Sequence, residues 1–382
     1  MATVLTAIAP TLFSAAQNVS AEPAALINSI YMDFDNKGVA AGDTVKVPVV
    51  PAQAAGEFTP AAVTSAGDGG GTAEAVSITI TKNRKVSHVL TGEQITSLEN
   101  GGNYQEWTRQ WAEQAMRTLR NEVEADIATA MKAGASRAYG TAGTTPFAAS
   151  LDDLANVRKI LRDNGAPMSD LQFVGNTAAE LNLLKLGVVQ QAYAAGSDEE
   201  RRSGIIGKQL GFMMRTSNGI AAHTSAAGAD YVTDTAGDTQ PIGDTSFVLD
   251  TGSTAIAAGD IFSIADAGDY KYVVKTGAAN AGATPITINK PGLRAAAAAN
   301  KLLTFAGSYT PNFAFERSAV VGVVRPPMMP SNPTIRTMAI SDGKGLTYMF
   351  AELDQYGQKS WEIILCWGFA VVQPEHVAIL IG

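Results

Sequence analysis

Cysteine, histidine and early cations are what this 382-residue chain has least of. Cys366 is its single cysteine, so no internal disulfide can close and no cysteine-based zinc site can be built. It lies inside "WEIILCWGFAVV", an apolar strand-like run in which a free thiol is expected to be a buried core group. His88, His223 and His376 stand apart, none with a second histidine or a cysteine at metal-ligand spacing. Structural or solvent-facing roles are expected for all three. No GxSxG elbow, no HExxH pair and no GxGxxG turn opening a helix occurs. No run approaches the ~18 apolar residues that cross a bilayer. The first lysine or arginine is Lys37, so "MATVLTAIAPTLFSAAQ" lacks the basic start of a secretory signal, and Pro10 interrupts it. A soluble chain made in the cytoplasm, without membrane contact, is expected.

Two glycine-rich stretches mimic phosphate loops and fail the test. In "GIIGKQLG" (204–211) the Ser or Thr that should follow Lys208 is Gln209, which removes the magnesium ligand. In "GEFTPAAVTSAGDGGGTAE" (56–74) the glycines Gly69, Gly70 and Gly71 precede a strand pattern, not a helix, and Glu57, Asp68 and Glu74 come with no cation. Carboxylate pairs in "LDD" and "SDEE" sit in charged turns or on helix faces, with nothing apolar beside them to raise a pKa. The sequence therefore predicts no catalytic site, no metal and no cofactor. The chain carries 28 basic and 36 acidic residues, a net charge of −8, which argues against a dedicated duplex-DNA binder.

What is present is patterned. A hydrophobic content of 46% with 17% charge is that of a globular protein, and the length predicts two or more lobes. Residues 1–35 are small, apolar and almost uncharged, with "PAALINSIYMDF" (23–34) reading as a short helix that packs on another part or another subunit. "GDTVKVPVV" (42–50) and "AEAVSITITK" (73–82) alternate as strands, and "RKVSHVL" continues the alternation. The glycine-rich stretch is then the connection of a two-stranded arm, with Phe58 its expected anchor. Over 103–136, Trp107, Trp111, Met116, Leu119, Val123, Ile127 and Met131 recur at helical spacing, with Glu113 and Arg117 as an i,i+4 pair. Two shorter helices flank the strand "LQFVGN", started by Ser150 with Asp153 and by Asn176 with Glu180. Residues 221–308 contain no glutamate, and "SFVLD", "DIFSI", "YKYVVK" and "PITINK" read as short strands of a compact all-β insertion. "AAAAAN" (295–300) reads as a turn. "NFAFERSAVVGVV" returns to mixed α/β character, and three strands end the chain: "IRTMAI", "GLTYMFAEL" and "SWEIILCWGFAVV".

This order of parts resembles the major capsid proteins of tailed bacteriophages, with the Hong Kong 97-type α+β fold, and among them the coat proteins of short-tailed phages that carry an inserted β-domain. The stretches that carry the resemblance are "GDTVKVPVV", "GIIGKQLGFMMRTSNGI", "GDIFSIADAGDYKYVVK", "NFAFERSAVVGVVRP" and "GFAVVQPEHVAIL". The resemblance implies an N-terminal arm (1–35), an extended β-hairpin loop (36–90) and a peripheral domain (91–147) built on the spine helix 103–136. It implies an axial domain (148–220, returning at 309–330), the inserted β-domain (221–308), and peripheral strands that rejoin the axial domain (331–382). Glu57, Phe58, Asp68, Gly69, Gly70, Gly71 and Glu74 would be subunit contacts at the loop tip. The implied function is self-assembly, as hexamers and pentamers, into an icosahedral head that encloses DNA without reading its sequence. Scaffolding and portal proteins would be partners, assembly would take place in the host bacterial cytoplasm, and the virion would be the final location. Some relatives lock the shell through a loop lysine bonded to an asparagine. No lysine lies between Lys46 and Lys82, so a non-covalent shell is expected. An encapsulin-like bacterial nanocompartment is the alternative that shares the fold; a secreted β-rich adhesin fits the missing signal and the long helix poorly.

Overall fold

From the N-terminus, helices α1 (Thr3–Ala21) and α2 (Ala25–Ser29) lead into strand β1 (Tyr31–Phe34). Strands β2 (Thr44–Val49), β3 (Glu74–Thr79) and β4 (Lys82–Thr91) precede helices α3 (Gly92–Asn100) and α4 (Tyr104–Gly134). Then come β5 (Arg137–Gly140), α5 (Asp152–Asp163), β6 (Leu171–Gly175), α6 (Thr177–Lys185), β7 (Lys208–Gln209) and β8 (Phe212–Thr216). Seven short strands follow: β9 (Tyr231–Thr233), β10 (Ser246–Phe247), β11 (Leu249–Asp250), β12 (Ile261–Ile264), β13 (Lys271–Thr276), β14 (Ile286–Ile288) and β15 (Leu302–Phe305). The chain closes with β16 (Pro311–Glu316), β17 (Val320–Arg325), β18 (Ile335–Ser341), β19 (Thr347–Gln355), β20 (Gln358–Val371) and β21 (Val377–Ile381). The computed structural model describes residues 3–21, 24–34, 40, 42–49, 74–187, 207–225, 228, 231–233, 239–252, 254–279, 285–329, 335–342 and 345–382.

The α+β architecture has two main sheets and a separate ribbon. The first sheet runs β1-β17-β20-β19-β18, with β4 on the other edge of β20. The helix α4 lies on this sheet, and at ~1.5 Å per residue its 31 residues make a rod of roughly 45 Å. Its expected stripe is its buried face: Met116, Leu119, Val123, Ile127 and Met131 are enclosed with Trp361, Ile363, Leu365 and Trp367 of β20. Trp107 and Trp111 are half-buried around Trp361, with ring centroids 5.8 and 5.9 Å away. Glu113 is held by Arg109 and by Asn18 (2.9 Å), while Arg117 reaches Gln114 (3.0 Å), so the i,i+4 partner of Glu113 lies on its N-terminal side.

The second sheet runs β11-β9-β15-β12-β13-β5-β21-β16-β6-β8-β7, with β14 and β10 branching from β13. The helices α5 and α6 bury Leu154, Val157, Leu161, Ala179 and Leu183 against Leu171, Phe173 and Phe212 of this sheet. Asn176 caps α6 as expected, accepting from the Ala179 amide at 2.8 Å. The start of α5 differs: Leu151 is the cap residue, and the Asp153 carboxylate reaches back to the Phe147 amide (2.9 Å).

Four further differences have physical causes. The N-terminal segment forms a 19-residue helix with Pro10 inside it, where only 23–34 was expected to be helical. Ile8, Leu12, Ala15, Ala16 and Val19 make an apolar stripe buried with the α4 stripe of the same chain, and this packing outweighs a proline penalty of about 3 kcal/mol. The loop expected over 36–90 is shorter as a ribbon, because β4 pairs with β20 along Lys82–Thr91 and belongs to the first sheet. The strands expected in 221–308 form with their own apolar cluster, but their sheet continues into the second sheet through β13–β5 (Lys271↔Ala138, Tyr272↔Arg137). Finally, "NFAFERSAVVGVV" is two strands around a single 3-10 turn, and a fourth C-terminal strand, β21, follows the turn at Pro374.

Candidate intersubunit surface

The ribbon β2–β3 is antiparallel, with Val45 opposite Ile78, Val47 opposite Val76, and Val49 opposite Glu74. Its root is tied by the Ile80 amide to Asp43 O (2.9 Å) and by the Gly42 amide to Ile80 O (3.0 Å). Alternation puts Val45, Val47, Val76, Ile78 and Ile80 on one face. That face lies over Val321, Val323 and Cys366 of the first sheet, on the side away from α4. Burial decays outward: Ile80 and Ile78 are enclosed, while Val76, Val47 and Val45 are only half-buried. Gly368 on β20 makes the seating possible, since a Cβ there would fall against Thr79 O and within 3.1 Å of the Ile80 Cα. Cys366 is buried beneath as expected, and desolvation pushes its thiol up to about 11.

Beyond the ribbon, no described element covers the continuation of this face, although Ala351, Ser360 and Ile364 are buried within it. Cross-strand rows read Ala339, Met349, Ile364, Lys85; then Thr337, Ala351, Glu362, Ser87; then Ile335, Leu353, Ser360, Val89. Ile335, Met349 and Leu353 are half-buried and Val89 is 45% exposed. One ion pair, Lys85–Glu362 at 2.7 Å, crosses this face. At its end the β19–β20 turn carries Tyr356, wholly exposed. The opposite face ends in charge, with Glu352 fully buried between Lys359 (2.7 Å) and Arg336 (3.5 Å). Burial first, then Glu352 and Glu99, push the Tyr104 phenol up to about 12.

Of the tip residues singled out in the sequence, Glu57, Phe58, Asp68, Gly69, Gly70 and Gly71 lie outside the described residues, as does "SDEE". Glu74 heads β3 at the last described rung of the ribbon. Lys208 and Gln209 of "GIIGKQLG" form β7, turning through Leu210–Gly211 into β8. The histidines are separate. His88 packs on Trp107 (5.0 Å), His376 sits in the 3-10 turn before β21, and His223 Nε2 lies 2.8 Å from Asp260 Oδ1, both buried. Among the described residues no three His, Cys, Asp or Glu side chains are grouped to hold a metal, and no helix is long and apolar enough to cross a membrane.

The chain is similar in fold to phage capsid proteins. It resembles a chain of Mycobacterium phage Che8 (TM-score 0.47, 15% identity, covering 89% of this chain and 84% of that one). It also resembles the capsid of cyanophage P-SCSP1u (0.48, 13%, 94% and 88%) and the virus-like particle from Pyrococcus furiosus (0.44, 10%, 97% and 98%). No family model matches the sequence, and no curated protein does. With TM-scores below one half, these likenesses leave the functional case to the chain's own geometry.

Sequence reasoning missed the uncovered sheet face and Gly368. The face becomes visible only once β18, β19, β20 and β4 are in register, because each strand by itself reads as an ordinary half-buried one.

Proposed function

We propose that this chain is the structural subunit of a non-covalently locked icosahedral shell that encloses double-stranded DNA, built from hexamers and pentamers. The observation that carries the proposal is the ribbon. Among the described residues its root is hydrogen-bonded and enclosed, and its apolar face is progressively uncovered outward through Val45, Val47 and Val76. A lone subunit gains little from such an element, whereas a neighbour presenting the uncovered, partly apolar sheet face gives it a partner. In this proposal the ribbon and the tip residues Glu57, Phe58, Asp68, Gly69, Gly70, Gly71 and Glu74 lie on the first sheet of an adjacent copy. The first sheet with α4 is then the peripheral domain, and α5, α6 and the β5–β8 part of the second sheet the axial domain. Many modest contacts of this kind close a stable shell through avidity.

Electron microscopy of the expressed full chain, followed by analysis of its contents, tests this. Uniform closed shells containing nucleic acid are expected, with a single monomer band on denaturing electrophoresis. Shells filled with an enzyme instead would establish the encapsulin-like alternative. A ladder of covalent multimers would overturn the non-covalent lock, and absence of any closed particle would overturn the shell.

A further inference from the structure

Two guanidinium groups, one on a strand and one on a 3-10 turn, converge on three consecutive residues of the N-terminal segment. Arg215, on β8, donates through Nη1 to Asn28 O (3.1 Å), to Ser29 Oγ (2.7 Å) and to Gln172 Oε1 (2.9 Å). Arg317, just after β16, donates through Nε to Ile30 O (3.4 Å). The acceptors at the point of convergence are neutral oxygens. Asp170, the carboxylate beside them, stands 4.0 Å from Arg317, is half exposed, and also takes a hydrogen bond from Gln172. Desolvation first, then the charge of Arg317, holds the Arg215 guanidinium below the usual arginine range. A guanidinium meets an oxyanion in a bidentate fork between opposite charges, which a single carbonyl or hydroxyl oxygen does not offer. The neutral oxygens of residues 28–30 therefore leave the two positive charges without a bidentate anionic partner at that point.

We propose that Arg215 and Arg317 form a binding site for phosphate-class oxyanions, closed by residues 28–30 and opened when an oxyanion displaces them. Ile30 immediately precedes β1, whose four residues pair in parallel with Val321–Val324 of β17. Losing the Arg317 contact to Ile30 O frees the first end of that pairing, so oxyanion binding unfastens α2 and β1 together. Arg325 holds Asp33 at 2.8 Å farther along and keeps the strand tethered until the near end has opened. The segment is thus a latch whose key is an anion. This inference stands on the contacts of the single chain and holds whether or not the chain forms shells.

Hydrogen–deuterium exchange of the full chain tests it, comparing sodium chloride with sodium pyrophosphate at equal ionic strength. Amides of residues 25–34 are expected to exchange about tenfold faster in pyrophosphate, a shift of ~1.4 kcal/mol, while those of β16 and β21 stay unchanged. In Arg317→Ala, whose parent side chain is half exposed, residues 25–34 are expected to exchange fast already in chloride, with no further response. A short single-stranded oligonucleotide at equal phosphate concentration separates the sources of the anion. Acceleration by both probes assigns polymeric phosphodiester as an occupant, and acceleration by pyrophosphate alone assigns the free ion. Equal exchange in all three conditions overturns the proposal, as does acceleration spread evenly over β16 and β21. A full response in Arg317→Ala overturns it as well. The comparison on the native protein decides by itself if the variant does not fold.

Discussion

A Cβ added at Gly368 has nowhere to go, because Thr79 O occupies that space and the Ile80 Cα lies 3.1 Å away. Gly368→Ala must therefore lift the ribbon root or bend β20. The expected loss is about 1–3 kcal/mol, the usual range for forcing a methyl group into a packed site, read as a lower urea midpoint. Faster amide exchange confined to 42–49 and 74–80 would place the strain. Gly92→Ala is the control: its Cβ would meet nothing nearer than 3.8 Å, at the first residue of α3, so stability should hold or rise slightly. An equal loss in both variants would sink the account of Gly368. A glycine inside an apolar strand run already signals a close backbone approach. Which backbone approaches was not legible, since Ile80 is hundreds of residues upstream in sequence. The buried fate of Cys366 was legible, because a thiol flanked by alternating apolar residues has little choice.

At the scale of elements, a long stripe that one element carries by itself was legible, and what a partner decides was not. The stripe of α4 predicts its own buried face because helical periodicity is local. The capping box that starts α3, Thr91 with Gln94, is equally local, yet α3 was not expected, since its residues are all at least partly exposed and leave no stripe. For α1, no helix was expected over 3–21, and its packing on α4 offsets the cost of Pro10 inside it. The uncovered face of the first sheet follows the same logic, because cross-strand register creates it. A charge placed there separates folding from assembly. Val89 is 45% exposed on that face, opposite Ser360 and in line with Leu353. Val89→Asp is expected to change monomer stability by no more than about 0.5 kcal/mol and to abolish particles in electron micrographs. Normal particles from a normally folded variant would show that the ribbon of a neighbour does not lie there.

For the whole molecule, the least legible feature was that the 221–308 strands and the second sheet are one continuous surface. The β13–β5 pairing joins them, and Asn289 Nδ2 donates to Ala133 O (2.8 Å) and Ala135 O (2.9 Å) at the end of α4. Composition marked 221–308 as different but could not show that its edge is shared. A shared edge predicts that the described parts unfold together, and buried or half-buried tyrosines spread across them supply the probe. Tyr104 starts α4, Tyr348 belongs to β19 of the first sheet, Tyr309 packs beside His223, and Tyr272 is in β13. Desolvation raises all four phenols, Tyr104 to about 12, and it raises the Cys366 thiol as well. A phenol kept neutral in the folded state ionises first in the unfolded chain, so above pH ~10 the unfolded state binds fewer protons and stability falls as pH rises. The thiol's share is complete below pH ~9 and is lost toward its folded value of about 11, while the phenols' share is complete below pH ~10 and is lost as pH climbs higher, for Tyr104 toward about 12. Lys132 and Lys271, lowered by desolvation, act in the opposite sense over part of that window, but four phenols and a thiol outweigh two half-buried ammonium groups. Urea midpoints are therefore expected to hold steady between pH 7 and 9 and to drop steeply between 10 and 12. A single transition followed by both tryptophan fluorescence, which reports the first sheet, and tyrosine ionisation, which reports all regions, would mark one cooperative unit. Two separated transitions would mean that the β13–β5 edge does not couple the 221–308 strands to the rest.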